Sequence, residues 1–203
     1  MYKRQNECIG GLDYASLKDF AAVGLLFRSG DDYIWKTHSF ARKEFLDKYK
    51  LKPPIHEWEK KGLLTIVDEP TINPKHIIDW FIEAQKNYGL QKVVADNFRM
   101  DLLRPLFEDA GIEYEVIKNT RAIQSLLAPR VEDMFAQHHL IFGDNPLMRW
   151  YTQNVAVKIR KDGNKEYEKK EPIRRKTDGF QALIHALYLS LIHISEPTRL
   201  RRI

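Results

Sequence analysis

Three aspartates carry the chemistry with the greatest reach in this sequence. Asp13 follows the apolar stretch CIGGL, Asp96 follows KVVA (Lys92–Ala95), and Asp178 opens the last apolar helix-like segment. Carboxylate oxygens suit hard cations such as Mg²⁺ and Mn²⁺, with water and phosphate completing the coordination shell. Two such ions ~3.5–4 Å apart can activate a water and stabilise the leaving oxygen in phosphodiester cleavage. Without metal, three neighbouring carboxylates repel one another and take up protons. The three lie far apart along the chain, so only a fold can unite them. Strand ends on one edge of a sheet, together with a helix start, can meet at a single crevice. Each also has an ordinary use: Asp13 in a turn, Asp96 and Asp178 as helix caps. Spacing alone leaves both uses open.

The elements that would position them follow from periodicity and breakers. Glu7–Leu12, Ala21–Phe27 and Tyr33–Phe40 read as strands, the last two joined by the turn Ser29-Gly30-Asp31-Asp32. Ala41–Tyr49 and Ile55–Lys61 read as helices around Pro53-Pro54, and Leu64–Val67 as a short strand. A helix starts at Asn73-Pro74 and runs to Tyr88-Gly89 through Ile77, Ile78, Phe81 and Ala84. After the strand Lys92–Ala95 come a helix at Met100–Asp109, a strand at Tyr114–Ile117 and a long helix at Ala122–His139 despite Pro129, a residue able to kink or divide it. Asn145–Asn154 is helical, Val155–Arg160 and Lys165–Glu168 flank the hairpin turn KDGN, and the last helix begins near Asp178. Hairpin strands followed by alternating strands and helices predict one α/β domain, a mixed sheet with helices packed on it.

The chain has 203 residues, 43% hydrophobic and 30% charged, with formal charge +5. It has no apolar run near the ~20 residues of a membrane span. Its single cysteine, Cys8, excludes an internal disulfide, and no Cys/His cluster has zinc spacing. A reducing, cytoplasmic setting is the expectation. Between Lys158 and Lys176 stand nine basic residues (Lys158, Arg160, Lys161, Lys165, Lys169, Lys170, Arg174, Arg175, Lys176) against four acids (Asp162, Glu166, Glu168, Glu171). Such a concentration attracts polyanions, though charge alone favours a solvated hairpin.

Three segments in register narrow the choice. IGGLDYASLKDFAAVG (Ile9–Gly24) resembles the first acidic motif of phage terminase large-subunit nucleases. VVADNFRMDLLRPLFEDAG (Val93–Gly111) is similar to their second motif, a strand, an Asp and a helix ending in Gly. NPLMRWYTQNVAV followed by RRKTDGFQALIHAL resembles their C-terminal signature. The resemblance covers Ile9–Tyr188 and implies a ribonuclease-H-like fold and a metal-dependent endonuclease that cuts concatemeric viral DNA during packaging. It further implies Asp13, Asp96 and Asp178 as catalytic ligands of two Mg²⁺ or Mn²⁺ ions, with Asp19 in a supporting role. Double-stranded DNA, a portal protein and a small terminase subunit become the implied partners, and the host cytoplasm rather than the mature virion the implied place of action. In that setting Lys158, Arg160, Lys169, Lys170, Arg174, Arg175 and Lys176 are expected to contact DNA phosphates, positioning the duplex without reading bases. Lys118 and Arg121 are weaker candidates on the same edge.

The family's large subunit also carries an ATPase motor, and this sequence contains no GxxxxGK[ST] phosphate loop. A Holliday-junction resolvase or transposase core would keep the fold with other biology. A non-catalytic DNA-gripping or portal-docking module would lack the chemistry altogether. His138-His139 and His185 are read as helix-end and core residues, Trp58, Trp80, Trp150 and Cys8 as packing, and Asp101 and Asp109 as helix-surface acids. The string LSLIHISEPTR (Leu189–Arg199) resembles the conceptual translation of a transposase-based sequencing adapter. The domain is therefore expected over residues 1–188, with 189–203 a non-native tail and no function resting on His193 or Arg199.

Overall fold

The computed structural model describes residues 7–192, so residues 193–203, where the adapter-like string continues through His193 and Arg199, lie outside the described residues. Strands β1 (Glu7–Asp13), β2 (Ala21–Ser29) and β3 (Asp32–Arg42) form an antiparallel meander. Helices α1 (Lys43–Tyr49) and α2 (Ile55–Lys60) lead to β4 (Leu64–Val67), which pairs parallel to β3. Helix α3 (Pro74–Asn87), β5 (Gly89–Asp96), α4 (Met100–Asp109) and β6 (Tyr114–Ile117) then add two parallel strands beside β1. Next come α5 (Thr120–Ala136), the two-residue β7 (Leu140–Ile141) against β3, α6 (Pro146–Gln153), the separate hairpin β8 (Val155–Ile159)–β9 (Lys165–Lys169), and α7 (Asp178–Ile192). The large sheet has seven strands in the order β4-β3-β2-β1-β5-β6, with β7 joined to β3 off that path. This is the ribonuclease-H-like mixed sheet expected.

Helices cover both faces, which is why β1, β2 and β5 are apolar nearly throughout. Alternation along β2 sends Ala21, Val23 and Leu25 into the core under α3 and α4, and Ala22 and Leu26 into the core under α5, α6 and α7. On the second face, Gly11 of β1 and Gly24 of β2 are paired directly and leave a trough. The ring of Trp35 fills the trough above Gly24, and the Ala182 carbonyl of α7 rests on Gly11. A Cβ at Gly11 would lie 2.1 Å from that carbonyl oxygen, so only glycine permits α7 to dock this closely.

Local expectations differ from the structure in three places. Ala41 and Arg42 extend β3 rather than start α1, because both pair with β4. The two residues of β7 are too few to show a strand period. Pro129 lies inside an unbroken α5, and that helix stops at Ala136; His138 turns into the left-handed region at φ 60°. Helix α7 runs through Ile192, and Leu189 is buried against Val94 and Ile117. Among the described residues no helix is long and apolar enough to cross a membrane.

Candidate active site

Asp13 and Asp96 are the last residues of β1 and β5. These strands run parallel with Leu12 opposite Ala95, so the two carboxylates leave the sheet side by side at one edge. Asp96 Oδ1 also accepts the Phe98 backbone N–H at 3.0 Å, making the turn into α4. Asp178 begins α7 and is 2% exposed, whereas Asp13 and Asp96 are half-buried, so the group opens to solvent on their side. Asp19, from the β1–β2 loop, closes the other side. Burial pushes the Asp13 carboxyl well up, and the nearby charges of Asp178, Asp96 and Asp19 push the same way, against Lys169. Burial, then Asp19, raises Asp178 to about 7, with Lys169 and Lys176 opposing. The mutual influence of these acids places all four in one neighbourhood.

Two lysines enter this cluster. Lys169 Nζ is 2.5 Å from Asp19 Oδ2 and 4.0 Å from Asp178 Oδ1. Lys176 Nζ is 2.7 Å from Asp19 Oδ1, donates to the Lys18 carbonyl at 2.9 Å, and lies over the Phe45 ring. Asp19 therefore anchors both ammonium groups, a supporting place. Burial lowers the Lys169 amine, but Asp178 and Asp19 more than offset it and hold it above its ordinary value. Behind the acids, Tyr151 shares a 2.8 Å hydrogen bond with Ser39, and its hydroxyl is pushed well up by burial and by Asp178. His185 is a core residue as expected; its Nδ1 bonds the Leu12 carbonyl at 2.7 Å, one residue from Asp13. Burial lowers its pKa, so the ring is neutral and donates from Nδ1.

The fit to divalent cations rests on what the cluster lacks. Asp178 Oδ2 is buried with no hydrogen-bond partner. Asp19 Oδ1 makes no well-angled hydrogen bond either, but its 2.7 Å ion pair with Lys176 supplies a partner. Hard carboxylate oxygens, one of them orphaned, with raised proton affinity, suit Mg²⁺ or Mn²⁺ chemically. Among the described residues no three Asp, Glu, His or Cys side chains already stand as a preformed metal cage.

A pH test follows from these shifts. In EDTA, a folded carboxyl titrating near 7 holds its proton where the unfolded one, near 3.8, has lost it. The folded state then binds more protons across that window, so stability falls as pH rises from about 4 to 7. The melting midpoint in EDTA is expected to be lower at pH 8 than at pH 5.5, with Mg²⁺ restoring it at pH 8. An equal or higher midpoint at pH 8 in EDTA would contradict a buried carboxylate cluster.

The basic residues separate into three groups. Lys176 is wholly buried, so its expected phosphate contact is corrected: its ammonium is committed to Asp19 and the Lys18 carbonyl. Lys169 likewise turns into the cluster. On the hairpin, Lys158 pairs with Glu168 at 2.9 Å and Arg160 with the buried Glu166 at 2.7 Å, which neutralises much of that surface. Arg121 approaches the same Glu166 at 3.7 Å, while Lys118 is exposed just after β6. Lys170, Arg174 and Arg175, with the acid Glu171 among them, join Lys52 and Trp150 around a cleft of about 580 Å³. Lys52 and the half-buried Trp150 had no signal in sequence that set them beside this basic stretch.

The family profile described as terminase large subunit, endonuclease domain, matches residues 5–193. A search among curated protein sequences finds no match. Among solved structures, the large terminase of bacteriophage HK97 is similar at TM-score 0.80 and 16% identity, over 91% of this chain and 39% of that one. The large terminase nuclease of thermophilic phage G20c, with bound magnesium, is similar at TM-score 0.62 and 13% identity, over 93% of this chain and 83% of that one. The same G20c nuclease with bound cobalt gives TM-score 0.60 and 12% identity, over the same shares of the two chains. The chain thus spans 39% of the length of the HK97 large terminase.

Proposed function

Because the chain belongs to the terminase large-subunit endonuclease-domain family, we propose that it is a metal-dependent endodeoxyribonuclease that cuts concatemeric viral DNA during genome packaging. The observation that carries this reading is the convergence of Asp13, Asp96 and Asp178 at one sheet edge, with a buried, unpartnered oxygen on Asp178. The G20c nuclease binds magnesium and cobalt, which supports divalent-ion use here. Asp13, Asp96 and Asp178 would hold Mg²⁺ or Mn²⁺. When bound, two ions would activate the attacking water and stabilise the leaving oxygen. Asp19 keeps two ammonium groups at the rear of the cluster, and His185 ties α7 to the end of β1. The half-buried side, towards Asp13 and Asp96, admits the substrate.

The substrate is double-stranded DNA, held by phosphate contacts from Lys170, Arg174 and Arg175, with Lys158 and Arg160 as outlying contacts. A portal protein, a small terminase subunit and an ATPase motor are proposed as partners, and the host cytoplasm as the place of action. Incubating the protein with supercoiled plasmid and Mn²⁺ is expected to give nicked and then linear DNA, and EDTA to prevent both. Retention of DNA without cleavage in any divalent metal would replace the enzyme with a gripping or docking module.

The DNA surface has its own test. Changing Lys170, Arg174 and Arg175 together to Ala should reduce the steepness of the affinity–salt relation, by up to about one per lost phosphate contact. Fluorescence anisotropy with a short duplex across a salt series measures this. An unchanged slope would move the duplex to another face.

A further inference from the structure

Lys169 is the last residue of β9, and its strand position decides where it points. Tyr167, two residues earlier, is buried, and the same period turns Lys169 inward from the hairpin. Its ammonium stands between Asp19 and Asp178, at 2.5 and 4.0 Å. Lys176, also on Asp19, is fixed by a carbonyl and an aromatic ring and has no exposed surface. Lys169 differs: its side chain is 26% exposed, at a strand end, and it can leave towards solvent.

Formal charge shows what its departure would change. Once a bound cation has displaced their protons, the four carboxylates of Asp13, Asp19, Asp96 and Asp178 face the two ammonium groups of Lys169 and Lys176, leaving two negative charges to be balanced. One divalent ion balances the cluster with both lysines in place. A second would overcharge the cluster, where repulsion between two divalent ions ~4 Å apart is strong.

Building on the metal-nuclease reading above, we propose that Lys169 holds the place of a second divalent ion, so that the free protein accepts one ion. The second enters only when the ammonium is drawn off, as by a phosphate of bound DNA. A DNA phosphate both attracts the lysine and adds negative charge to the site, so substrate arrival completes the metal pair. The unpartnered Oδ2 of buried Asp178 offers a place for the first ion without disturbing Lys169, whose contact is with Oδ1.

Calorimetric titration with Mn²⁺, without DNA, tests this by stoichiometry rather than by turnover. Wild type should bind one ion, Lys169→Gln two, and Lys169→Arg one. Two ions on wild type, or one on the Gln variant, would overturn the proposal while leaving the nuclease reading intact. No binding by wild type would remove the metal reading and this inference together. Should the Gln variant not fold, amine labelling of wild type read by mass spectrometry decides. With Mn²⁺ alone, Lys169 labelling should match that in EDTA, because the single ion leaves the ammonium in place, while buried Lys176 stays unlabelled. A severalfold rise in Lys169 labelling with Mn²⁺ alone would show that no DNA is needed to displace it and would overturn the proposal.

Discussion

Asp178→Asn is expected to abolish Mn²⁺-dependent nicking of supercoiled plasmid while leaving duplex binding and the melting midpoint in EDTA nearly intact or improved. The loss should be roughly a thousandfold or more, the rate equivalent of the several kcal/mol that metal charge stabilisation supplies. Asn matches Asp in shape, so α7 keeps its start, but a neutral amide is a poor ligand for a hard cation. Fold stability should not suffer, because the buried Asp178 carboxyl already resists ionisation, with a folded pKa of about 7. Asp13→Asn and Asp96→Asn should behave alike, because all three charges serve one site. Asp19→Asn should behave differently: its carboxylate binds Lys169 and Lys176 rather than facing the opening, so stability should fall along with cleavage. Gel assays of nicking, paired with anisotropy and thermal melts, separate these outcomes. Nicking by Asp178→Asn at wild-type rate would end the assignment.

Gly11→Ala should be the most damaging small substitution in the molecule. The added Cβ meets the Ala182 carbonyl oxygen at 2.1 Å and the Trp35 ring at 3.0 Å. A backbone atom in the middle of a buried helix cannot swing aside, so α7 as a whole must lift from the sheet. Overpacking of this kind costs about 3 kcal/mol or more, which for a domain of this size lowers the melting midpoint by roughly 6–12 °C. Lifting α7 also moves Asp178 and the His185–Leu12 bond, so cleavage should fall even at temperatures where the variant remains folded. Gly163→Ala is the control: its surroundings are open and its φ is +82°, so only local turn strain is added, far from the helix. Urea melts of the two variants against wild type test the contrast, and a Gly11→Ala midpoint within a degree of wild type would show that the helix docks more loosely.

The sequence made the site legible wherever a residue's environment was set by its own segment. Asp13 and Asp96 end apolar strands, so each had to emerge at a strand end, and parallel order then set them together. Asp178 precedes a run of apolar residues that could only be a buried helix. The meander was equally plain, since Gly30 supplies the left-handed turn between β2 and β3. What escaped depended on distant partners. Ala41 belongs to a strand because Ile66 lies opposite, and nothing near Ala41 announces it. Lys169 and Lys176 looked like their basic neighbours, since composition does not say which cations are pulled inward by Asp19. The alternation with Tyr167 was the available clue for Lys169. For Lys176 there was none, because its burial depends on the path of a loop. Pro129 leaves α5 unbroken, because burial of Leu127, Ala128 and Val131 on either side holds the helix together.

The position of Asp178 at the head of α7 bears on how the molecule is born. A ribosome delivers β1 and β5 first, and the helix that completes the acidic quartet emerges after every strand of both sheets. With N-terminal elements folding first at ~5–20 residues per second of synthesis, a nascent chain presents three of the four acids, Asp13, Asp19 and Asp96, before Asp178 is made. On the proposed reading, the chain would lack one of its three metal-holding carboxylates for as long as that final helix is still to be made.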